Sequence, residues 1–178
     1  MSGDATIKCV LVGDDRAGKT SLLHTFADGR RPSLPPESLC SLPQMVHVTL
    51  YHMNTAYDLQ LVDTAGGTAQ LRSRLTAYSA YRDAGVVVLC ADLTEPAAWP
   101  RLEADWRVEL EQYASRAPFL LVGTKAEARD DHPVQHGDGR RRGRAVFDAA
   151  LEAALHPERR LAARPLSVRD LWDKITTW

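Results

Sequence analysis

Apolar residues along this chain fall into two alternating rhythms. Ile7–Val12 is a compact apolar run ending at Gly13, which predicts a buried strand. Leu22, Leu23 and Phe26 then recur at helical spacing, predicting a helix over Thr20–Ala27 that stops at Asp28-Gly29. Arg30–Pro43 has no period and carries Pro32, Pro35, Pro36 and Pro43, so it reads as a loop. Met45–Tyr51 and Tyr57–Val62 alternate around Asn54-Thr55, predicting a hairpin. A helix over Thr68–Arg82 follows from Leu71, Leu75 and Tyr78 on one face, then a strand over Gly85–Ala91. Leu102, Trp106, Leu110 and Tyr113 predict a helix over Leu102–Ala114, and Phe119–Gly123 a further buried strand. Ala126–Gly143 is polar and irregular, with Asp130-Asp131 and a basic run of Arg140, Arg141, Arg142 and Arg144 that reads as a solvated loop. Phe147, Leu151 and Leu155 restore the helical period over Ala145–Leu155 until Pro157 stops it. Leu171, Trp172, Ile175 and Trp178 again share helical spacing. Strands alternating with helices predict an α/β domain, its sheet mostly parallel with helices on both faces. Ligands on such sheets bind beyond the carboxyl ends of the strands.

Composition narrows the classes. The 178 residues carry 22 Lys+Arg against 23 Asp+Glu, a net charge of -1, and 44% hydrophobic residues. That suits one domain with a single core, and it removes the simplest case for nucleic-acid binding, which needs a net basic surface. The three cysteines are too few for a disulfide framework; with no secretory segment and no apolar run long enough for a bilayer, a reducing, cytoplasmic setting is expected. The six histidines show no metal-ligand spacing.

Chemistry concentrates just after the strands. Gly13-Asp14-Asp15-Arg16-Ala17-Gly18-Lys19-Thr20 is a full G-x-x-x-x-G-K-[ST] between a strand and a helix. Its backbone N–H groups close around phosphates, Lys19 reaches the β- and γ-phosphates, and the Thr20 hydroxyl suits Mg2+. Asp63-Thr64-Ala65-Gly66 ends the neighbouring strand: Asp63 is placed for the metal, and Gly66 for a backbone N–H to a γ-phosphate. The bland alternative makes Asp63 a helix cap. Gly123-Thr124-Lys125-Ala126-Glu127 offers a carboxylate for the N1–H and N2–H2 of guanine and a lysine stem for the ring. Taken alone, that segment is a weak signal and reads more readily as a solvated helix start.

Together these segments resemble the small GTPases, and specifically the Rho family. The resemblance rests on IKCVLVGDDRAGKT (Ile7–Thr20), LVDTAG (Leu61–Gly66), FLLVGTK (Phe119–Lys125), Arg129-Asp130-Asp131 and VFDAALEAAL (Val146–Leu155). It implies a Ras-like P-loop NTPase fold over 1–160, shortened at 132–143, with a tail at 161–178 that has no prenylation box. It implies GTP/GDP and Mg2+ as ligands, with nucleotide contacts at Gly13, Asp14, Asp15, Arg16, Ala17, Gly18, Lys19, Thr20, Ser21, Gly66, Thr124, Lys125 and Glu127. Metal ligation falls to Thr20, Asp63 and Ser38, with Ser41 the alternative to Ser38. Effector, exchange-factor and activating proteins would read loops 30–43 and 64–74. A monomer with at most transient membrane contact is expected.

The departures from the family pattern matter as much. Asp15 and Arg16 stand where the family has small residues, Gly67 where it has the water-orienting Gln, Glu127 where it has Asp, and Arg31 where it has an aromatic beside the base. Only His132–Arg142 separate Asp131 from Gly143, too few for a further helix and strand, so the sixth strand and the base-touching loop are expected to be missing and the fifth strand's edge open. The reading is therefore a nucleotide-dependent switch with slow hydrolysis and no residue assigned as catalytic. The alternatives are a pseudo-GTPase interaction module and, weakest, an adenine-specific P-loop enzyme.

Overall fold

A computed structural model of the chain describes residues 5–28, 44–67, 74–128, 139–156 and 176–177. In chain order it comprises β1 (Ala5–Gly13), α1 (Lys19–Asp28), β2 (Gln44–His52), β3 (Thr55–Asp63), α2 (Arg74–Tyr81), β4 (Val86–Asp92), α3 (Ala98–Arg101), a π-helical turn (Leu102–Trp106) and α4 (Arg107–Tyr113). β5 (Phe119–Thr124), a short 3-10 helix (Ala126–Ala128), α5 (Gly139–Leu155) and β6 (Thr176–Thr177) complete it.

The sheet runs β2-β3-β1-β4-β5-β6. β2 and β3 are antiparallel, and every other neighbouring pair is parallel. Alternation along the central strand divides the core. Cys9 and Leu11 of β1 face one cluster with Leu22, Leu23, Phe26, Phe147 and Leu151 of α1 and α5. Val10 and Val12 face the other, with Tyr81, Trp106 and Leu110. Helices therefore cover both faces, as a buried parallel sheet requires. Phe26 and Phe147 join α1 to α5 with ring centroids 4.4 Å apart. Burial pushes both core thiols up, Cys90 to about 12, so both stay protonated.

Five strands of six to nine residues form the sheet as expected. The edge expected to be open is not bare, however. Thr176 pairs with Val122 and Thr177 with Gly123, so two residues of the tail add a short parallel strand. This corrects the helical reading of the tail at those two positions; Leu166–Ile175 and Trp178 lie outside the described residues. The basic run is corrected too: α5 begins at Gly139, so Arg140–Arg144 belong to helix rather than loop. An amphipathic period did not reveal this stretch because its polar residues precede the apolar face. The hairpin turns at Met53 and Asn54, both at positive φ, one residue earlier than predicted. Among the described residues no helix is long and apolar enough to cross a membrane.

Candidate functional site

The loop between β1 and α1 is built around the Lys19 ammonium. Lys19 is 5% exposed, and its Nζ donates to the carbonyls of Gly13 (3.1 Å) and Asp14 (2.8 Å). Two backbone carbonyls thus seat a buried cation inside the loop. Residues Gly18 to Ser21 open α1, whose first N–H groups have no intrahelical acceptor and whose first turn carries no acidic residue. The loop thus presents fixed positive ends and a buried ammonium to one place, which suits phosphate.

Asp63, at the end of β3, meets Thr20 there. Thr20 Oγ1 donates to Asp63 Oδ2 at 2.5 Å. Asp63 is buried, and its Oδ1 has no hydrogen-bond partner among the described residues. Burial pushes its pKa up against the pull of Thr20 and Lys19. An orphaned, desolvated carboxylate oxygen beside a threonine hydroxyl is what a hard divalent cation satisfies. Mg2+ uses one or two protein oxygens and completes its shell with water and phosphate. The residues present fit that ion. No cluster of three His, Cys, Asp or Glu side chains occurs among the described residues.

The segment after β3 is laid against the phosphate loop. Thr64 donates to the Leu11 carbonyl through both its N–H (3.3 Å) and its hydroxyl (2.8 Å). Gly67 N–H donates to the Gly13 carbonyl at 3.3 Å. A Cβ on Gly66 would stand 2.4 Å from Asp15 Cα, so only glycine allows this approach. Gly67 lies at φ +89°, a backbone conformation a side chain resists. Asp15 Oδ1 accepts from the Arg16 N–H at 3.0 Å, and Arg16 itself sits at φ +58°. A carboxylate therefore already sits on one of the amides expected to face phosphate.

Thr124 ties the far side of the site together. Its hydroxyl lies 2.7 Å from the Ala17 carbonyl and 3.0 Å from that of Ala91. Lys125, also at positive φ, puts its Nζ on Asp92 Oδ2 at 2.5 Å. Burial disfavours the Asp92 carboxylate, but hydrogen bonds from Lys125 and Thr94 together outweigh it and hold its pKa below the usual range. Glu127 lies on the 3-10 helix, and its side chain is outside the described set. Ser38, Ser41 and Arg31 fall outside the described residues as well.

Three further residues join the site without having been read from the sequence: Asp92, Arg101 and Trp106. Asp14, expected as a nucleotide contact, turns its side chain toward the last two. Its Oδ2 accepts from Arg101 Nε at 2.8 Å and forms an ion pair with Nη2 at 2.8 Å, and its Oδ1 accepts from Trp106 Nε1 at 2.9 Å. Only the Asp14 backbone carbonyl serves the lysine. A signal was available: a second carboxylate in a phosphate loop needs a cation, and Arg101 precedes a Trp on the helix that follows β4.

A strand, a glycine-bounded loop with a buried lysine, a helix start and a neighbouring strand-end aspartate define a P-loop nucleotide-binding α/β domain. The Ras family model matches residues 8–151, and the chain belongs to the Ras family. Its domain is that of the small GTP-binding signalling switches, whose members generally bind GTP and GDP with Mg2+.

Proposed function

We propose that this chain is a Rho-like guanine-nucleotide switch that binds GTP and GDP with Mg2+ and hydrolyses GTP slowly. One observation carries the reading: a complete cradle around Lys19 stands beside Gly67, which fills the water-positioning place with no side chain. Phosphoryl transfer of this class has no covalent step, so rate comes from placing the water and neutralising charge. Asp15, packed on Gly66, adds negative charge where charge develops and crowds the path of a partner's arginine. Mg2+, when bound, supplies charge neutralisation at the phosphate oxygens. Thr20 and Asp63 hold it, with Ser38 or Ser41 from loop 30–43. Effector, exchange-factor and activating proteins engage loops 30–43 and 64–74. The Rho assignment rests on the five segments quoted above.

A second reading, a pseudo-GTPase interaction module, is favoured by the Asp15 carboxylate on the Arg16 amide, which competes with phosphate. Two measurements separate the readings. Nucleotide released from the purified protein is expected to be GDP or GTP; finding none supports the module. Single-turnover hydrolysis of preloaded GTP is expected below the roughly 10⁻⁴ s⁻¹ intrinsic rate of Ras, with little acceleration by a Rho-type activating protein. Asp15→Gly with Gly67→Gln restores more than Gly67→Gln alone. A wild-type rate equal to that of an ordinary Rho protein contradicts slow hydrolysis and points to Arg16 as a cation supplied in cis.

A further inference from the structure

We infer that Arg101 and Trp106 are positioning residues for the phosphate loop, acting through the Asp14 side chain on the seat of Lys19. The inference rests on the reading of Gly13–Thr20 as a phosphate site. Both hydrogen bonds and the ion pair to the Asp14 carboxylate come from one continuous helical stretch, 87 to 92 residues further along the chain. Trp106 is fully buried, and the Asp14 side chain is 20% exposed, so this carboxylate is anchored in the fold rather than solvated.

The π-helical turn is what makes the grip possible. Arg107 N–H donates to the Leu102 carbonyl, five residues back. In a regular α-helix, residues five apart lie roughly 140° from each other around the axis. Arg101 and Trp106 would then point in different directions. The wider turn brings residues five apart toward one face, and both reach the same carboxylate. π turns are rare and cluster at functional sites.

The consequence for the loop is twofold. Asp14's own carbonyl is one of the two seats of the Lys19 ammonium, so fixing the Asp14 side chain fixes that carbonyl. Arg101 also neutralises a negative charge that would otherwise stand within the loop that receives an anion. Losing it leaves a half-buried carboxylate unpaired beside incoming phosphate, which is costlier than losing an exposed pair.

The test uses the full chain and four variants, titrated with GDP, inorganic pyrophosphate and guanosine. Arg101→Ala is expected to weaken GDP and pyrophosphate by about tenfold or more and to leave guanosine unchanged. Arg101→Lys, which returns the charge with one donor group, recovers part of the loss. Trp106→Phe, which keeps the ring and removes the N–H, costs a few-fold on the same two ligands. Arg107→Ala removes the exposed Arg107–Glu111 pair on the same helix and changes none of the three. Equal losses for guanosine and GDP would mean general destabilisation and overturn the inference, as would unchanged pyrophosphate affinity in Arg101→Ala. Amide hydrogen exchange of Asp14–Gly18 without ligand provides a readout that does not depend on binding. Exchange is expected to quicken about tenfold in Arg101→Ala and not in Arg107→Ala. If the wild type binds none of the three ligands, the nucleotide reading itself fails, and unchanged exchange then overturns the tether by itself.

Discussion

The two ends of the proposed nucleotide site hold their described polar groups in different ways. At the phosphate end, Lys19, Thr20, Asp63, Thr64 and Asp14 are buried or half-buried, and all but one of their polar atoms that can be accounted for find a partner inside the domain. The exception, Asp63 Oδ1, is a buried acceptor left for a cation to satisfy. At the base end, the polar contacts among the described residues are Lys125 on Asp92 and Thr124 on the Ala17 and Ala91 carbonyls, and the flanking sheet edge is covered by a two-residue strand. Charge that must be held in a low-dielectric cleft needs a network, because an unpaired buried group costs its full desolvation. Ring recognition needs only a platform and a few hydrogen bonds, so it can degrade without unfolding the domain. The expected outcome is a protein that keeps its grip on phosphate better than its choice of base.

The largest expected effect is at the phosphate end. Lys19→Ala removes charge-assisted hydrogen bonds of about 1.5–3 kcal/mol each, so GDP and ADP should both weaken by roughly a hundredfold or more. Fluorescent-nucleotide titration checks this, and a loss confined to GDP would break the comparison. Next comes the backbone that lies against the phosphate loop. Gly67→Gln places a side chain at φ +89° and should cost about 1–2 kcal/mol of stability in urea denaturation. A neutral result would mean the segment after β3 relaxes freely from the phosphate loop.

At the base end the effects are smaller. Glu127→Asp, one methylene shorter, should raise the preference for GDP over ADP several-fold while leaving pyrophosphate affinity unchanged. A parallel change in pyrophosphate binding would merge the two ends into one. The Asp92–Lys125 pair has a pH signature. Because the folded Asp92 pKa is lowered, its contribution is present above the ordinary aspartate value and is lost as pH falls through the folded value. The stability gap between wild type and Asp92→Asn should therefore be flat from about pH 7 to pH 5 and shrink below about pH 4. A gap that widens on acidification contradicts the assignment. Thr176→Pro, which puts a proline into β6, should cost less than about 1 kcal/mol.

The sequence carried the phosphate end because its chemistry is contiguous: one strand, one loop and one helix start lie within Ile7–Thr20, and Asp63 ends the strand paired with β1. It did not carry the side chains that hold that loop. Trp106 read as one more apolar position on a helix, and the π turn that aligns it with Arg101 leaves no mark in hydrophobic spacing. Asp92 was likewise hidden, since its partner is 33 residues away. β6 could not be read because two threonines carry no period, and the surrounding spacing pointed to a helix. Each of these depends on which elements the fold brings together, whereas motifs report only what stays adjacent along the chain.

The comparison between the two ends is tested most directly by titrating the nucleotide-free protein with GDP and ADP side by side, with Mg2+ present. The account predicts that both bind, that Lys19→Ala weakens both alike by roughly a hundredfold or more, and that GDP is preferred by a markedly smaller factor than in an ordinary Rho protein. A preference for GDP as strong as the family's would contradict it, and so would GDP affinity left unchanged by Lys19→Ala.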